Sequence, residues 1–179
     1  MNEYKQIFSD VEHKVELTQN EPVKCKLYPT PYKMQAVIDQ EIENMLTMGV
    51  IKRSEAAYAS PLVLVKKADG TYSVCINFKE LNKITVFNLE PMMPPDDIFP
   101  KLARSQFYST FDFCKGYWAI PMEELSKDYT TFVSSRGQIT FRVMPFGMVN
   151  SGLTYNRMIR KLMDGIHNLE SYVDDGKNI

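Results

Sequence analysis

The sequence predicts an α+β fold, because segments with the period of strands and segments with the period of helices interleave without a regular βαβ rhythm. Two amphipathic helices and two hairpins are the observations on which this prediction depends. With 179 residues, of which 44% are hydrophobic and 24% charged, the chain is long enough to bury a core of its own. We therefore expect one globular domain, built as one or two lobes.

The first predicted elements are a hairpin and a helix. Residues 11–30 alternate between polar and apolar side chains around a turn-like segment at 19–22, which predicts a hairpin. Apolar residues between Met34 and Leu46 then recur every three or four positions, which predicts an amphipathic helix that ends at Gly49.

A second hairpin follows the helix. Residues 61–65 form an apolar strand and residues 72–78 an alternating strand, and the turn between them contains Asp69-Gly70. Lys66 and Lys67 lie at the start of this turn. The sequence therefore predicts a hairpin with lysines at its tip.

The second half of the chain begins with a proline-rich connection at 88–105, where a helix starting near Asp96 should be short or kinked. In residues 106–113 the alternation places Phe107, Phe111 and Phe113 on one face, in a strand that looks buried and carries Asp112 at its end. Three further elements are predicted: a strand at 138–146, a helix with apolar positions from 155 to 166, and a short strand that meets Asp174-Asp175 and Gly176.

Charge, cysteine content and hydropathy exclude several classes of protein. The net charge of −1 and the pI of about 6.1 argue weakly against a nucleic-acid partner, since such proteins commonly carry a basic excess. Cys25, Cys75 and Cys114 are widely separated and have no CxxC pair, so neither a disulfide framework nor a zinc site is expected. No apolar run of about 18 residues could span a bilayer, and the first residues do not resemble a secretory signal. We therefore expect no membrane association and an intracellular location.

Three aspartates form the pattern that most directly indicates a catalytic or metal-binding site. Asp112 ends a strand and Asp174-Asp175 precede a glycine, so a turn could bring three carboxylates to one site. Two Mg²⁺ ions about 3.5–4 Å apart need several convergent carboxylates. Taken alone, the same residues are more typical of an ordinary turn than of a metal site, because Asp-Asp before Gly is common in turns.

Five ordered segments give the aspartates a context: YASPLVLVKKADGTY, NFKELNKIT, FYSTFDFCKGYWAIPM, FRVMPFGMVNS and SYVDD. In this order and at these intervals they resemble reverse transcriptases of the gypsy class of LTR retrotransposons, and the resemblance covers nearly the whole chain. It implies a right-hand polymerase fold, with an antiparallel palm sheet and packed helices. It places the fingers at about 1–87 and 120–150 and the palm at about 88–119 and 151–179.

The resemblance also implies an active site. Asp112, Asp174 and Asp175 match the catalytic, metal-binding triad of the family, and the carbonyl of Phe113 matches a backbone ligand of the second metal. The implied reaction is RNA-directed DNA synthesis by two Mg²⁺ ions, with Mn²⁺ as an alternative. Residues matching the family's nucleotide-binding positions are Lys66, Lys67, Lys115, Gly116, Tyr117, Phe146 and Gly147. Among these, Tyr117 matches the steric gate that excludes a 2′-hydroxyl, although Tyr117 and Phe146 could also simply pack in the core.

Two positions and the end of the chain depart from the family. Ser73 stands where the family usually has an arginine that holds the triphosphate, and Asn77 where it has an aspartate. The thumb, connection and ribonuclease H domains do not follow residue 179, so we expect this chain to be inactive alone. A catalytically dead descendant that binds nucleic acid or protein is therefore a rival hypothesis, and an unrelated two-metal phosphatase or nuclease is a second.

The partners that the resemblance implies are an RNA or DNA template with its primer, deoxynucleoside triphosphates and the other domains of a Pol polyprotein. The location that it implies is the cytoplasm or a virus-like particle.

Overall fold

The structure is a computed structural model. It describes residues 11–19, 21–23, 25, 31–89, 94–103, 106–107, 109, 113 and 115–166. The segments expected to carry the strand before Asp112 and the strand before Asp174-Asp175 lie mostly or wholly outside this part of the chain.

Five helices lie in the described residues, and two of them contain most of the positions where helical periodicity was predicted. The five helices are α1 (Tyr32–Thr47), α2 (Lys79–Ile84), α3 (Pro95–Leu102), α4 (Glu124–Lys127) and α5 (Ser151–Met163), with 3-10 turns at Gly116–Ala119 and Asp128–Thr130. Helix α1 buries Ile38, Ile42 and Met45 on one face, as its periodicity predicts. Helix α3 is eight residues long and contains Pro100, which confirms the expected short helix.

A mixed five-stranded sheet lies at the centre of the described residues. Its strands are β1 (Ile51–Arg53), β2 (Ser60–Lys66), β3 (Tyr72–Ile76), β4 (Phe132–Ser134) and β5 (Gly137–Phe141), in the order β1-β5-β4-β2-β3. All neighbouring strands are antiparallel except β2 and β4, which pair in parallel through Ser60↔Phe132 and Pro61↔Val133. Helices packed beside a largely antiparallel sheet confirm the α+β class.

The predicted hairpin with a lysine-bearing tip is confirmed as β2–β3. Its register runs from Leu62↔Ile76 to Lys66↔Tyr72. The hairpin uses its two faces differently, because Leu62, Leu64, Val74 and Ile76 pack against the core, whereas Val65 is half exposed. One face of the hairpin is thus fixed to the core.

The predicted hairpin at residues 11–30 is not formed among the residues of this segment that the structure describes, 11–19, 21–23 and 25. The described residues of this segment alternate in burial as expected, but they bond to other parts of the chain. The amide of His13 donates to Pro121 O at 2.8 Å, and the amide of Thr18 donates to Ile84 O at 2.8 Å. Further along, the amide of Cys25 donates to Ala59 O at 3.1 Å. Alternation showed an extended segment but could not show which strands it would meet.

Three further expectations need correction. The predicted strand at 138–146 ends at Phe141, because the backbone beyond it pairs with residues 120–122: Met122 N donates to Arg142 O and Met144 N to Ile120 O. The second helix ends at Met163 and leaves Ile166 exposed, because Gly165 adopts a left-handed φ of 81° that stops a helix. Phe107, expected on a buried face, is 91% exposed. Alternation shows which side chains lie on the same face of a strand, but it does not show whether another element covers that face.

The core joins α1, the sheet, α5 and the extended segment 11–17. Its largest fully buried side chains include Phe78, Phe132, Ile42 and Met144. The buried hydrophobic residues of this cluster are Val11, Val15, Ile38, Ile42, Met45, Val50, Ile51, Phe78, Leu81, Tyr117, Ile120, Met122, Phe132, Ile139, Phe141, Met144, Met148, Met158 and Ile159. Because Tyr117 and Met148 belong to this set, the segments implied in nucleotide binding are attached directly to the core.

Candidate functional site

A tight turn begins the candidate site at Lys115. This lysine has φ 54° and ψ 40°, a left-handed backbone conformation that residues other than glycine rarely adopt. The amide of Gly116 donates to Phe113 O at 3.2 Å, and the amide of Trp118 donates to Lys115 O at 2.9 Å. The Lys115 ammonium lies 4.5 Å from the centre of the Trp118 ring, within the range of a cation–π contact. The turn therefore holds a strained residue at the position implied to lie beneath a triphosphate.

Gly116 is fixed by a close approach of Tyr155 from helix α5. A Cβ atom built on Gly116 would lie 2.7 Å from both Cε2 and the hydroxyl oxygen of Tyr155. Such a distance is well inside van der Waals contact, so only glycine fits here unless the tyrosine moves. The requirement for glycine at this position comes from packing.

Tyr117 lies between two other aromatic rings. Its ring is stacked on Phe146, with centroids 4.8 Å apart and an interplanar angle of 15°. The ring of Tyr155 lies 5.2 Å away and is tilted by 44°. Tyr117 is buried, whereas Phe146 is half exposed. Tyr117 therefore packs in the core and supports an aromatic ring, that of Phe146, which is half exposed to solvent.

The loop that carries Phe146 and Gly147 is held from several sides. Gly147 has φ 88°, and a Cβ built on it would lie 3.7 Å from Ile76 O, at the end of β3. Ser151 donates its hydroxyl to Pro145 O at 3.1 Å. Asn82 of helix α2 donates its side-chain amide to Gly147 O at 2.8 Å and accepts a bond from Val149 N at 3.0 Å. The loop is thus fixed relative to both β3 and α2.

A second asparagine ties the end of the loop to the following connection. The side chain of buried Asn150 donates to Val86 O at 2.8 Å and accepts from Asn88 N at 3.2 Å. Sequence reasoning missed Asn82, Asn150 and Tyr155. Asn82 lies inside one of the quoted segments and Asn150 inside another, but nothing in a single sequence shows that their side chains bind distant backbone atoms.

Lys66 and Lys67 lie at the other end of the hairpin. The turn is closed by Lys67 N donating to Thr71 O at 2.8 Å. Asp69 accepts hydrogen bonds from the hydroxyl and the amide of Thr71, which hold the pKa of the Asp69 carboxyl below its usual value. Both lysine side chains are exposed. The four residue steps from Ile76 to Tyr72 separate the base of the hairpin from its tip by roughly 13 Å.

The structure therefore brings together five of the predicted nucleotide-binding residues and places two at a distance. The five are Lys115, Gly116, Tyr117, Phe146 and Gly147. The base of the hairpin lies next to this cluster, since the Ile76 carbonyl oxygen is 3.7 Å from the position that a Cβ on Gly147 would occupy.

The two departures from the family pattern have different structural settings. Ser73 pairs with Val65 in the hairpin. The side chain of Asn77 accepts a bond from Lys79 N at 3.0 Å, which satisfies one of the amides at the start of α2. Asparagine thus has a local role in holding the helix that carries Asn82.

The predicted triad Asp112, Asp174 and Asp175 lies outside the described residues. Phe113 is described, and its carbonyl accepts the bond from Gly116. A carbonyl oxygen has two lone pairs, so this bond does not by itself prevent metal binding.

In the described part of the chain, no group of three or more histidine, cysteine, aspartate or glutamate residues could hold a metal ion. Helices of that part are also too short or too polar to cross a membrane.

Comparisons with known proteins agree on one family. A family model described as reverse transcriptase (RNA-dependent DNA polymerase) matches residues 65–176, more than half of the chain. The chain is 31% identical to the retrovirus-related Pol polyprotein of transposon 297 from Drosophila melanogaster, over 92% of this chain and 16% of the polyprotein. The corresponding polyprotein of transposon gypsy from the same species is 28% identical, over 81% of this chain and 15% of the polyprotein. The chain therefore spans about one-sixth of the length of these relatives.

A solved structure is similar over nearly the whole chain. The foamy viral protease-reverse transcriptase in complex with an RNA/DNA hybrid superposes with a TM-score of 0.81 at 24% identity. The similarity covers 91% of this chain and 22% of that one.

Proposed function

This chain belongs to the reverse transcriptase (RNA-dependent DNA polymerase) family, and from that membership we propose that it adds deoxynucleotides to the 3′ end of a primer on an RNA template. The resemblance to gypsy-class elements is confirmed by the matches to Pol polyproteins of Drosophila transposons. The fold expected of polymerase fingers and palm is confirmed by the similarity to foamy virus enzymes.

One observation carries the proposal. The turn at Lys115–Tyr117 and the loop at Phe146–Gly147 are about 30 residues apart in sequence, and the resemblance assigns both to one nucleotide site. In the fold they meet through the stacked rings of Tyr117 and Phe146. A site that binds an incoming nucleotide needs this convergence of separate segments.

The sugar would be selected by the aromatic cluster. Tyr117 is buried between Phe146 and Tyr155, so its ring cannot easily move away from a substrate that contacts it. A rigid ring placed against C2′ of the sugar leaves no room for a hydroxyl group. The backbone of Lys115 and Gly116 would lie beneath the triphosphate, and the mobile ammonium groups of Lys66 and Lys67 would reach it from the hairpin.

The reaction needs divalent metal ions, which reverse transcriptases generally use. We propose that Asp112, Asp174, Asp175 and the carbonyl of Phe113 hold two Mg²⁺ ions. This donor set consists entirely of oxygen atoms, as Mg²⁺ prefers. When bound, the metal ions lower the pKa of the primer 3′-hydroxyl and stabilise the charge on the leaving pyrophosphate.

The division into fingers at about 1–87 and 120–150 and palm at about 88–119 and 151–179 is part of the proposal. All five strands described above fall in the ranges assigned to the fingers, and α5 falls in the palm. The aromatic cluster would then lie where the two parts meet. The proposed partners are a primed RNA or DNA template, deoxynucleoside triphosphates and the other domains of a Pol polyprotein, in the cytoplasm or a virus-like particle.

A second candidate function is a catalytically inactive relative that still binds a primed template. Ser73 favours it, because serine cannot form the charge-assisted hydrogen bonds that the family's arginine makes to the triphosphate. Their absence weakens nucleotide binding by about ten- to a hundredfold. Both candidates predict binding of the template, and only the first predicts synthesis.

Primer extension separates the two candidates. The protein expressed at its natural length is incubated with a DNA primer on an RNA template, Mg²⁺ and all four deoxynucleotides. We expect extension that is lost in Asp174→Asn. Template binding without extension in the wild type would support the inactive relative.

Sugar selection is tested with Tyr117→Ala. This variant should incorporate CTP opposite a template guanine more readily than the wild type does. An unchanged preference for dCTP would contradict the role of Tyr117.

A further inference from the structure

The loop at residues 146–149 makes two hydrogen bonds with one side chain of another element. The Nδ2 of Asn82 donates to Gly147 O at 2.8 Å, and its Oδ1 accepts from Val149 N at 3.0 Å. Donor and acceptor of the same amide are therefore both used, and they fix the loop at two points. An apolar side chain of the same size would remove both bonds.

Asn82 can serve as a fixed support because its helix is anchored. Its neighbour Leu81 is fully buried in the core, and Thr85 donates its hydroxyl to Leu81 O at 2.8 Å. The extended segment near the start of the chain adds bonds on either side of the helix end, from Thr18 N to Ile84 O and from Val86 N to Glu16 O. A displacement of the loop is therefore expected to occur at the loop and not at α2.

The geometry links this support to the aromatic cluster. Gly147 is adjacent to Phe146, whose ring is stacked on Tyr117 at 4.8 Å. Phe146 is half exposed, so core packing alone does not determine its position. If Gly147 loses its bond to Asn82, the backbone next to Phe146 loses one of the bonds that hold it.

We infer that Asn82 is a positioning residue for sugar selection, acting through Phe146 on Tyr117. This inference rests on the proposed function and assigns a role to a residue outside the substrate-contacting set. Asn82 fixes the loop, the loop fixes the ring of Phe146, and that ring holds Tyr117 in the position that rejects a 2′-hydroxyl.

The test compares Asn82→Leu, which removes both bonds, with Asn82→Asp, which keeps the acceptor for Val149 N and loses the donor to Gly147 O. The readout is the ratio of kcat/KM for dCTP to kcat/KM for CTP in primer extension by the protein at its natural length. A smaller fraction of folded enzyme lowers both terms equally, so a merely structural effect leaves the ratio unchanged.

We expect the ratio to fall by about three- to tenfold in Asn82→Leu, the size of effect expected when one aromatic pair no longer stacks, and by less in Asn82→Asp. The matched control is Asn44→Leu, since Asn44 lies exposed on α1 and its side chain bonds to Gln40 within the same helix. This control should keep the wild-type ratio.

Amide hydrogen exchange gives a readout that does not depend on activity. In Asn82→Leu the amides of residues 147–149 should exchange faster than in the wild type, and in Asn82→Asp the amide of Val149 should stay protected. A wild type that extends primers, with an Asn82→Leu variant of unchanged ratio, would overturn the inference. Unchanged exchange in the loop would also overturn it. A wild type that does not extend primers would instead contradict the proposed function.

Discussion

Gly116→Ala perturbs the packing on which the aromatic cluster is built. The added Cβ would lie 2.7 Å from Cε2, 2.7 Å from the hydroxyl oxygen and 3.0 Å from Cζ of Tyr155. The ring of Tyr155 must therefore move, which disturbs its packing against the ring of Tyr117, 5.2 Å away. Overpacking of this kind costs about 1–3 kcal/mol. We expect the free energy of unfolding, measured in urea at equilibrium, to fall by that amount.

Two comparisons show whether the clash is the cause. Gly152→Ala places a Cβ 3.6 Å from the Tyr117 hydroxyl, an ordinary distance in the first turn of α5, and should be neutral or stabilise by up to about 1 kcal/mol. In a Tyr155→Ala background the clash is absent, and Gly116 lies in a 3-10 turn whose backbone accepts alanine. Gly116→Ala should then no longer destabilise. An equal loss in both backgrounds would refute the reasoning, because the two sites would not interact.

Two further predictions concern pH and nucleotide binding. Burial lowers the pKa of His13 to about 4, so the unfolded chain binds a proton below about pH 6.5 that the folded chain binds only near pH 4. Stability should therefore fall by about 3 kcal/mol as the pH decreases from 6.5 to 4, and His13→Gln should flatten this slope in urea titrations. Ser73→Arg should lower the KM for deoxynucleotides about tenfold by restoring a charge-assisted hydrogen bond. An unchanged KM in steady-state kinetics would mean that Lys66 or Lys67 already makes it.

Local elements of the fold could be predicted wherever the pattern lies within one segment. Helix α1 followed from apolar spacing alone, and the β2–β3 hairpin followed from two strands around Asp69-Gly70. The segment at 11–30 could not be assigned in this way, because its partners are residues near 84, 121 and 59. Pairing between distant segments depends on the tertiary fold, which alternation does not contain.

In the candidate site too, the residues could be predicted from sequence, whereas the contacts between distant segments could not. Lys115, Gly116, Tyr117, Phe146 and Gly147 were identified from the family resemblance, and the structure brings them together. Their physical roles could not be read from sequence, since the need for glycine at 116 comes from a tyrosine 39 positions later.

Asn82 shows why the supporting residues were missed. A polar residue on a short helix is usually solvated, and only the fold shows that this one bonds to Gly147 and Val149. Residues that support a site from another element carry no local pattern of their own.

The proposed metal site provides the most direct test of the assignment as a two-metal polymerase. Crystals grown with a primed template and Mn²⁺ would locate the ions by their anomalous scattering. We expect two peaks about 3.5–4 Å apart, held by the carboxylates of Asp112, Asp174 and Asp175. Carboxylates of Asp112 and Asp174 more than about 10 Å apart, or Mn²⁺ bound away from all three, would contradict that assignment.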